Sequence, residues 1–329
     1  MGFELVIEFE ICFLVMSFLQ EPVPSRGDLL PVLPGVSRIV ARNPSVMTYH
    51  GTNSWFIECD NELVMIDPGP QDSVHLQDTL SALKGRKLKY ILLTHTHHDH
   101  YGNVPALRNI TGAPVAAYKH PQIKELIPDV ALDDGDIVAG LKAIYTPGHA
   151  SDHLCFQFLS QDKQKILFSG DHVMSWSSSI VNPPDGDMLA YYRSLEVFLD
   201  RDDDLYLCGH GPLLENPRQF VAELLSNRQA REKMILDELQ KQDWSVASLA
   251  ARLYHKNDMS LKAAAQRNVL AHLLKLTKEG ITEEQPPEDK PHPDIVAIMK
   301  LNEARPKAFL QLIYHDSLRR FGLRSRSYI

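Results

Sequence analysis

The sequence predicts an α+β fold: two β-sheets covered by helices on their outer faces, followed by a smaller helical module. Three observations carry this. Short β-rich runs separated by turn signals fill residues 36–171, helical patterns interrupt at about 73–83 and 188–199, and after residue 210 the pattern becomes helical. With 329 residues, 44% of them hydrophobic and 23% charged, the chain is long enough to bury one large core or two unequal ones.

Residues 1–27 read as an N-terminal extension. Glu4, Glu8 and Glu10 stand where a signal peptide carries basic residues, no small-residue cleavage site follows, and the apolar run 11–19 falls short of the roughly 20 residues that span a bilayer. No membrane partner is therefore expected, and Met16 is an alternative start. Strands are expected at 36–42, 53–59, 62–67, 88–94, 114–118, 136–145, 153–159 and 165–170, where β-branched and aromatic residues gather between turns. They belong to a catalytic unit at 28–215. Helices follow at 216–242, 246–254 and 261–279, with apolar residues three and four apart, and Gly280 stops the last of them, which gives a helical module at 216–282. The Pro-rich, charged stretch 283–294 reads as a linker, and the remainder to 329 as a basic tail whose helical periodicity Pro306 breaks.

The net charge of -8 divides into -13 over residues 1–215 and +5 over residues 216–329. The late excess comes mostly from Arg305, Lys307, Arg319, Arg320, Arg324 and Arg326, set against Glu303 and Asp316, and a solvated helix face explains it more simply than a nucleic-acid surface. Cys12, Cys59, Cys155 and Cys208 lie far apart with no CxxC spacing, which points to reduced thiols, a cytoplasmic location and no thiolate metal site.

The chemistry concentrates where the strand 88–94 runs into His95-Thr96-His97-His98-Asp99-His100. Residues i and i+2 leaving a strand point the same way, so His95 and His97 are placed to grip one ion while Asp99 and His100 turn toward a second; His98 is expected to point away. Three further segments put one ligand type beside glycine at a strand end: Gly148-His149, Gly170-Asp171 and Gly209-His210-Gly211. Two cations about 3.5–4 Å apart, bridged by a carboxylate and a hydroxide, lower the pKa of water and clamp the oxygens of a displacement reaction. A solvent-derived nucleophile is then expected, with Asp99 and Asp171 as the catalytic carboxylates and Ser151 and Ser169 as local turn residues.

The ordered set Asp67-Pro68-Gly69, His95-x-His97-x-Asp99-His100, His149, Asp171 and His210 resembles the five motifs of the metallo-β-lactamase superfamily. The resemblance implies an αββα sandwich with the site at the common edge of its sheets. It implies one metal on His95, His97 and His149, another on Asp99, His100 and His210, Asp171 bridging them, and Asp67 orienting the His/Asp loop by hydrogen bonds. Two Zn²⁺ are the expected cofactors, and the ligand types suit Fe and Mn as well. A Glu stands at the position of His97 in the flavodiiron oxygen reductases, and true β-lactamases lack the bridge at Asp171, so neither chemistry is expected. Only 21 residues separate His149 from Asp171 and 38 separate Asp171 from His210, which leaves no room for a large inserted domain.

Within the superfamily, Gly51-Thr52-Asn53, Thr146-Pro147-Gly148-His149-x-x-Asp152-His153 and Phe168-Ser169-Gly170-Asp171-His172, with the helical module as a winged helix, resemble the β-lactamase-like endoribonuclease branch over about residues 28–282. That implies a dinuclear hydrolase cleaving single-stranded RNA phosphodiesters. A thioesterase of the glyoxalase II type is the alternative, acting on a small-molecule ester or thioester; a non-catalytic winged-helix regulator and an iron persulfide dioxygenase rank below it. His153 and His172 either bind substrate, support the ligands or cap strands, and Thr52 and Asn53 either overhang the site or form a plain turn. Lys262, Arg267, Lys275 and Lys278 of the third helix invite a nucleic-acid reading, but packing against a subunit or substrate loop is favoured. A homo-oligomer is compatible with all of this.

Overall fold

The computed structural model describes residues 17–59, 61–254, 259–301 and 307–324. The chain enters through the hairpin β1 (Leu30–Leu33) and β2 (Val36–Val40), continues into β3 (Asn53–Cys59) and β4 (Glu62–Ile66), and crosses by α1 (Ser73–Leu83) to β5 (Leu88–Leu92). The short α2 (His98–Tyr101) and α3 (Val104–Thr111) lead on to β6 (Val115–Tyr118) and β7 (Val130–Leu132), completing a seven-stranded sheet in sequential order. β8 (Ile137–Val138), β9 (Leu141–Tyr145), β10 (Leu154–Leu159) and β11 (Lys165–Gly170) begin the second sheet. After α4 (Met188–Leu199) it is finished by β12 (Leu205–Cys208) and β13 (Leu214–Glu215), in the order β13-β12-β11-β10-β9-β8. The expected strand 136–145 is thus two strands, because Ala139 and Gly140 both adopt positive φ and fold it into a hairpin.

Alternation along the strands assigns the faces. In β4, Val64 and Ile66 meet Phe156, Ile166 and Phe168 of the second sheet, while Leu63 and Met65 face Ala82 and Leu83 of α1 and Leu107 of α3. In β11, Ile166 and Phe168 point inward while Leu167 packs outward with Tyr191, Leu195 and Phe198 of α4. The result is the expected αββα stack, each sheet buried on both faces. α1 and α4 start cleanly because Asp72 and Asp187 accept hydrogen bonds from the free amides of their first turns.

After β13 come α5 (Pro217–Leu239), β14 (Trp244–Ser245), α6 (Val246–Leu253), α7 (Met259–Lys278), β15 (Thr282–Gln285), α8 (Pro293–Leu301), α9 (Lys307–Leu318) and β16 (Arg320–Leu323). Two expectations are corrected here. The stretch read as a linker contains β15, and the supposed tail supplies β16, the middle strand of a three-stranded sheet ordered β14-β16-β15. Phe321 and Leu323 enter the module's core beside Leu249, Leu273 and Leu276, and α8 and α9 add Ile295, Ile298 and Ile313. A boundary at 216 also cuts through packing. The first half of α5 carries Phe220, Val221 and Leu224 into the outer layer of the second sheet, and its second half carries Ile235 and Leu239 into the module.

The extension is not loose where it is described: Leu19 N donates to Ser175 O at 2.9 Å, Phe18 lies edge-on to Phe220, and Glu21 pairs with Arg38 at 2.5 Å. Residues 1–16, with the alternative start at Met16, and Glu303, Arg305 and Arg326 of the tail lie outside the described residues. Among the described residues no helix is long and apolar enough to cross a membrane.

Candidate metal centre

β4 and β5 are parallel, as are β11 and β12, so the residues that follow each pair leave at the same edge of their sheet. Asp67 and His95 emerge from the first sheet, Asp171 and His210 from the second. Two cross-links stitch these edges together: Leu154 N donates to Thr94 O at 2.7 Å, and Asn53 N donates to Gly209 O at 2.8 Å. At Gly209 a Cβ would stand 2.4 Å from Asp171 Oδ1 and 2.9 Å from His100 Cε1, so only glycine lets the backbone pass.

Three sets of donor atoms converge at this edge, each within 4.8 Å: His95, His97 and His149; Asp99, His100 and His210; and His95, His100 and Asp171. His97 Nδ1 stands 3.0 Å from both His95 Nε2 and His149 Nε2, and His100 Nε2 stands 3.3 Å from His210 Nε2. Asp171 lies between the sets, with Oδ1 3.4 Å from His100 Nε2 and Oδ2 3.3 Å from His210 Nε2 and 3.7 Å from His149 Nε2. Asp99 Oδ2 is 3.3 Å from His210 Nε2 and 3.7 Å from His100 Nε2.

The opposite nitrogen of each ring decides what these close approaches mean. His149 Nδ1 faces Ile180 O at 2.7 Å and His210 Nδ1 faces Gly51 O at 3.2 Å; a carbonyl only accepts, so both Nδ1 atoms carry the proton. His100 Nδ1 donates to Asp67 Oδ2 at 2.8 Å and His97 Nε2 to Asp185 Oδ2 at 3.2 Å. Thr94 Oγ1 donates to Asp67 Oδ2 and so accepts from His95 Nδ1 at 3.0 Å. In the neutral rings, five bare nitrogens therefore point at one another. Unprotonated nitrogens do not hydrogen-bond each other, whereas donors around a tetrahedral Zn²⁺ stand roughly 3.3 Å apart. Asp171 Oδ1, buried and without a hydrogen-bond donor, completes an arrangement that fits a cation.

Charge agrees. Burial pushes His95 well down and His149 to about 4, which leaves both rings neutral and ready to coordinate. His100 and His210 are as deeply buried, yet the Asp171 and Asp99 carboxylates outweigh burial and raise them, His210 to about 9. Burial likewise opposes ionisation of Asp171 and Asp99, but His210 and His100 hold both below the usual carboxylate range. Without a cation this cluster keeps protons where a metal would release them.

Asp67 bonds to the loop that carries His95 to His100: its Oδ1 accepts from Thr94 N at 2.8 Å, its Oδ2 takes Thr94 Oγ1 and His100 Nδ1, and its φ is a left-handed 54°. His98 is exposed and outside the convergent sets. Thr52, Asn53, His153 and His172, the possible substrate-binding residues, are all buried. Thr52 Oγ1 is bonded to Asn43, and Asn53 Nδ2 donates to Cys208 O and Gly211 O. His153 stacks on His95 at 5.1 Å and accepts from Asp171 N, and His172 lies against Tyr191 and Phe198. Ser169 makes a local contact, to Val173 O, whereas Ser151 reaches across 34 residues to donate through N and Oγ to Asp185 Oδ1.

Sequence reasoning missed Asp185 and the Ile180 carbonyl, the outer partners of His97 and His149. Asp185 sits in a Pro-Pro-Asp-Gly turn, whose composition signals only a turn. The four basic residues of α7 prove to be paired: Lys262 with Asp294, Arg267 with Asp316, Lys275 with Glu232 and Glu279, and Lys278 with Asp187.

Residues 47–210 match the family model described as the metallo-beta-lactamase superfamily, and residues 245–289 match the beta-lactamase associated winged helix domain. The chain is 29% identical to a beta-lactamase-like protein 2 homolog of Drosophila melanogaster, over 74% of this chain and 88% of that one. It is 31% identical to an atrochrysone carboxyl ACP thioesterase of Aspergillus fumigatus, over 66% and 69% of the two chains. Among solved structures, a beta-lactamase domain protein from Burkholderia ambifaria superposes with a TM-score of 0.70 at 19% identity, covering 92% of this chain and 95% of that one, which speaks for the fold alone.

Proposed function

Because the chain belongs to the metallo-β-lactamase superfamily of hydrolases, we propose that it is a dinuclear metal hydrolase acting on a thioester of small-molecule or carrier-bound type. The observation that carries this is the convergence of five imidazole nitrogens and the Asp99 carboxylate around a shared Asp171. His95, His97 and His149 would hold one ion, Asp99, His100 and His210 the other, with Zn²⁺ as the expected metal. Two such ions, when bound, polarise a carbonyl and lower the pKa of a water between them. The protein's own groups do the rest. Asp171 fixes the relation between the two sets, and Asp67 and Asp185 fix the rings of His100 and His97. Asp99, its side chain 29% exposed, is the open carboxylate placed to take a proton at Oδ2.

Thioester hydrolysis is favoured over the RNA cleavage that sequence resemblance put first, because a thioesterase-named relative is 31% identical over 66% of this chain. The acidic balance of residues 1–215 and the paired cations of α7 also leave little positive surface for a polyphosphate backbone. RNA remains the second reading on the strength of the winged-helix match. One preparation separates them. Metal-loaded wild type and Asp171→Ala are assayed side by side on an acyl thioester and a single-stranded RNA oligonucleotide. Thioester turnover that falls at least about 10³-fold in Asp171→Ala, roughly 4 kcal/mol, is expected. RNA cleavage lost in the variant, with no thioester turnover in either protein, reverses the choice.

A further inference from the structure

The loop between β11 and α4 carries the outer partners of two of the proposed ligands: Ile180 O accepts from His149 Nδ1, and Asp185 Oδ2 accepts from His97 Nε2. Apart from its contacts, nothing regular supports this segment, for residues 171–187 form neither helix nor strand. Ser151 N and Oγ hold Asp185 Oδ1 from within the catalytic layers, and further support comes from the helices that follow them. Arg228 of α5 donates through Nη2 to Ser179 O and through Nη1 to Asn268 Oδ1 at 3.3 Å; the same Asn268 oxygen accepts from Val181 N at 3.2 Å. Arg267 of α7 donates to Pro183 O and, at 2.5 Å, to Asn182 Oδ1. Ser179 Oγ in turn donates to Asp171 O at 2.6 Å.

Arg228 is the unusual member. It is 2% exposed, lies over the Tyr191 ring at 5.3 Å and forms no ion pair among the described residues. Burying a cation with no counter-ion is costly, and packing alone would be served better by an apolar side chain of similar size. What a guanidinium adds is a fork of fixed donors that holds Ser179 O and Asn268 at once. The cost is met where α5 and α7 reach the segment behind His149, His97 and Asp171.

We infer that Arg228, Asn268 and Arg267 are positioning residues of the metal centre, so that the helices after His210 are a working part of the site rather than an appended module. The inference rests on the metal assignment proposed above. Slackening the 179–185 segment removes the fixed acceptors of His149 and His97, and losses of this kind typically cost about 10–100-fold in metal affinity.

The test is a Zn²⁺ titration of chelator-stripped full-length protein against a chromophoric competitor, with Co²⁺ absorption spectra as a second readout and thermal unfolding of the stripped proteins alongside. Arg228→Met and Asn268→Ala are compared with wild type and with Glu232→Gln, which disturbs the His272–Lys275 network inside the module without touching the loop. Both loop-facing variants are expected to weaken at least one of the two ions about tenfold or more and to alter the Co²⁺ spectrum, while Glu232→Gln lowers the unfolding temperature and keeps wild-type affinities. Dissociation constants within twofold of wild type in Asn268→Ala and in folded Arg228→Met overturn the inference and leave the metal assignment standing. Equal weakening in Glu232→Gln overturns it too, as a general loosening. Wild-type protein that takes up no ion overturns both readings.

Discussion

The two ligand sets meet at Asp171 but are built differently. His100 and His210 are fully enclosed, and their outer nitrogens rest on Asp67 at the end of β4 and on Gly51 O, which immediately precedes the Thr52–His210 bridge between the sheets. His97 is 39% exposed at its side chain, and it and His149 lean on a segment without secondary structure. One half of the centre is set by sheet ends; in the other only His95 is, while His97 and His149 depend on a loop braced from behind. The difference teaches that neighbouring ligands can depend on distant and unequal parts of a fold: the first half inherits the rigidity of strand pairing, the second only as much as its braces supply.

That contrast can be broken most sharply at Asp67. Asp67→Ala strips the Thr94 amide, the Thr94 hydroxyl and His100 of their shared acceptor inside the protein, so a stability loss of about 3–5 kcal/mol in urea unfolding is expected, together with a 10–100-fold weaker ion at the enclosed set. An Asp67→Ala protein as stable as wild type would remove the claim that the sheet-end half is structurally anchored. Asp185→Ala should act more mildly, because its partner His97 is partly open to water. About tenfold weaker binding of one ion, with less than about 1 kcal/mol lost from stability, is expected by calorimetry. Equal weakening of both ions would show that the halves are not independent.

The smallest expected effect on the centre comes from acidifying the module. Burial pushes His272 down to about 4 despite its bond to Glu232. As pH falls, the unfolded chain takes up this proton near pH 6.5 and the folded one only near 4, so stability is lost across that window, by up to about 3 kcal/mol, and is unaffected above it. Burial opposes the ionisation of Glu232, but His272 and Lys275 hold its carboxyl below the ordinary value, so its contribution is present above about 4.5 and lost below, in the same direction. His272→Gln should flatten the stability profile between pH 6.5 and 4 and leave Zn²⁺ affinity at pH 7.5 unchanged. A variant whose profile parallels wild type would assign the acid sensitivity to another group.

How much of this was legible in the sequence follows from how local each feature is. The run His95 to His100 is dense enough in ligands to be read without the fold, and α1 and α4 match their expected bounds because Asp72 and Asp187 mark their starts. β4 and β11 were readable as apolar runs between turns. What escaped depends on partners far along the chain. β15 is Thr-Glu-Glu-Gln, polar because three of its residues lie at least partly open, and it is a strand only because Arg320–Leu323 returns to pair with it. β16 holds four residues, too few to show a period. Asp185 and Arg228 became part of the site only when their loop and helix were brought behind His97 and His149; neither carries a local pattern to report it. Thr52, Asn53, His153 and His172 were noticed for standing beside motif residues, and burial turned that nearness into support.

The place of β16 has a consequence for how the protein is made. Its residues 320–323 leave the ribosome after every other described element, yet they lie between β14 and β15 and fill the module's core with Phe321. Pairings of such long sequence separation form slowly, and during synthesis they must wait until residues 320–323 have emerged. The αββα layers, complete once the first half of α5 has emerged, can assemble while the rest is still being made. A nascent chain cut short before Arg320 would then present a finished sandwich, two strands with no neighbour between them, and helices too poorly packed to steady the loop behind His149.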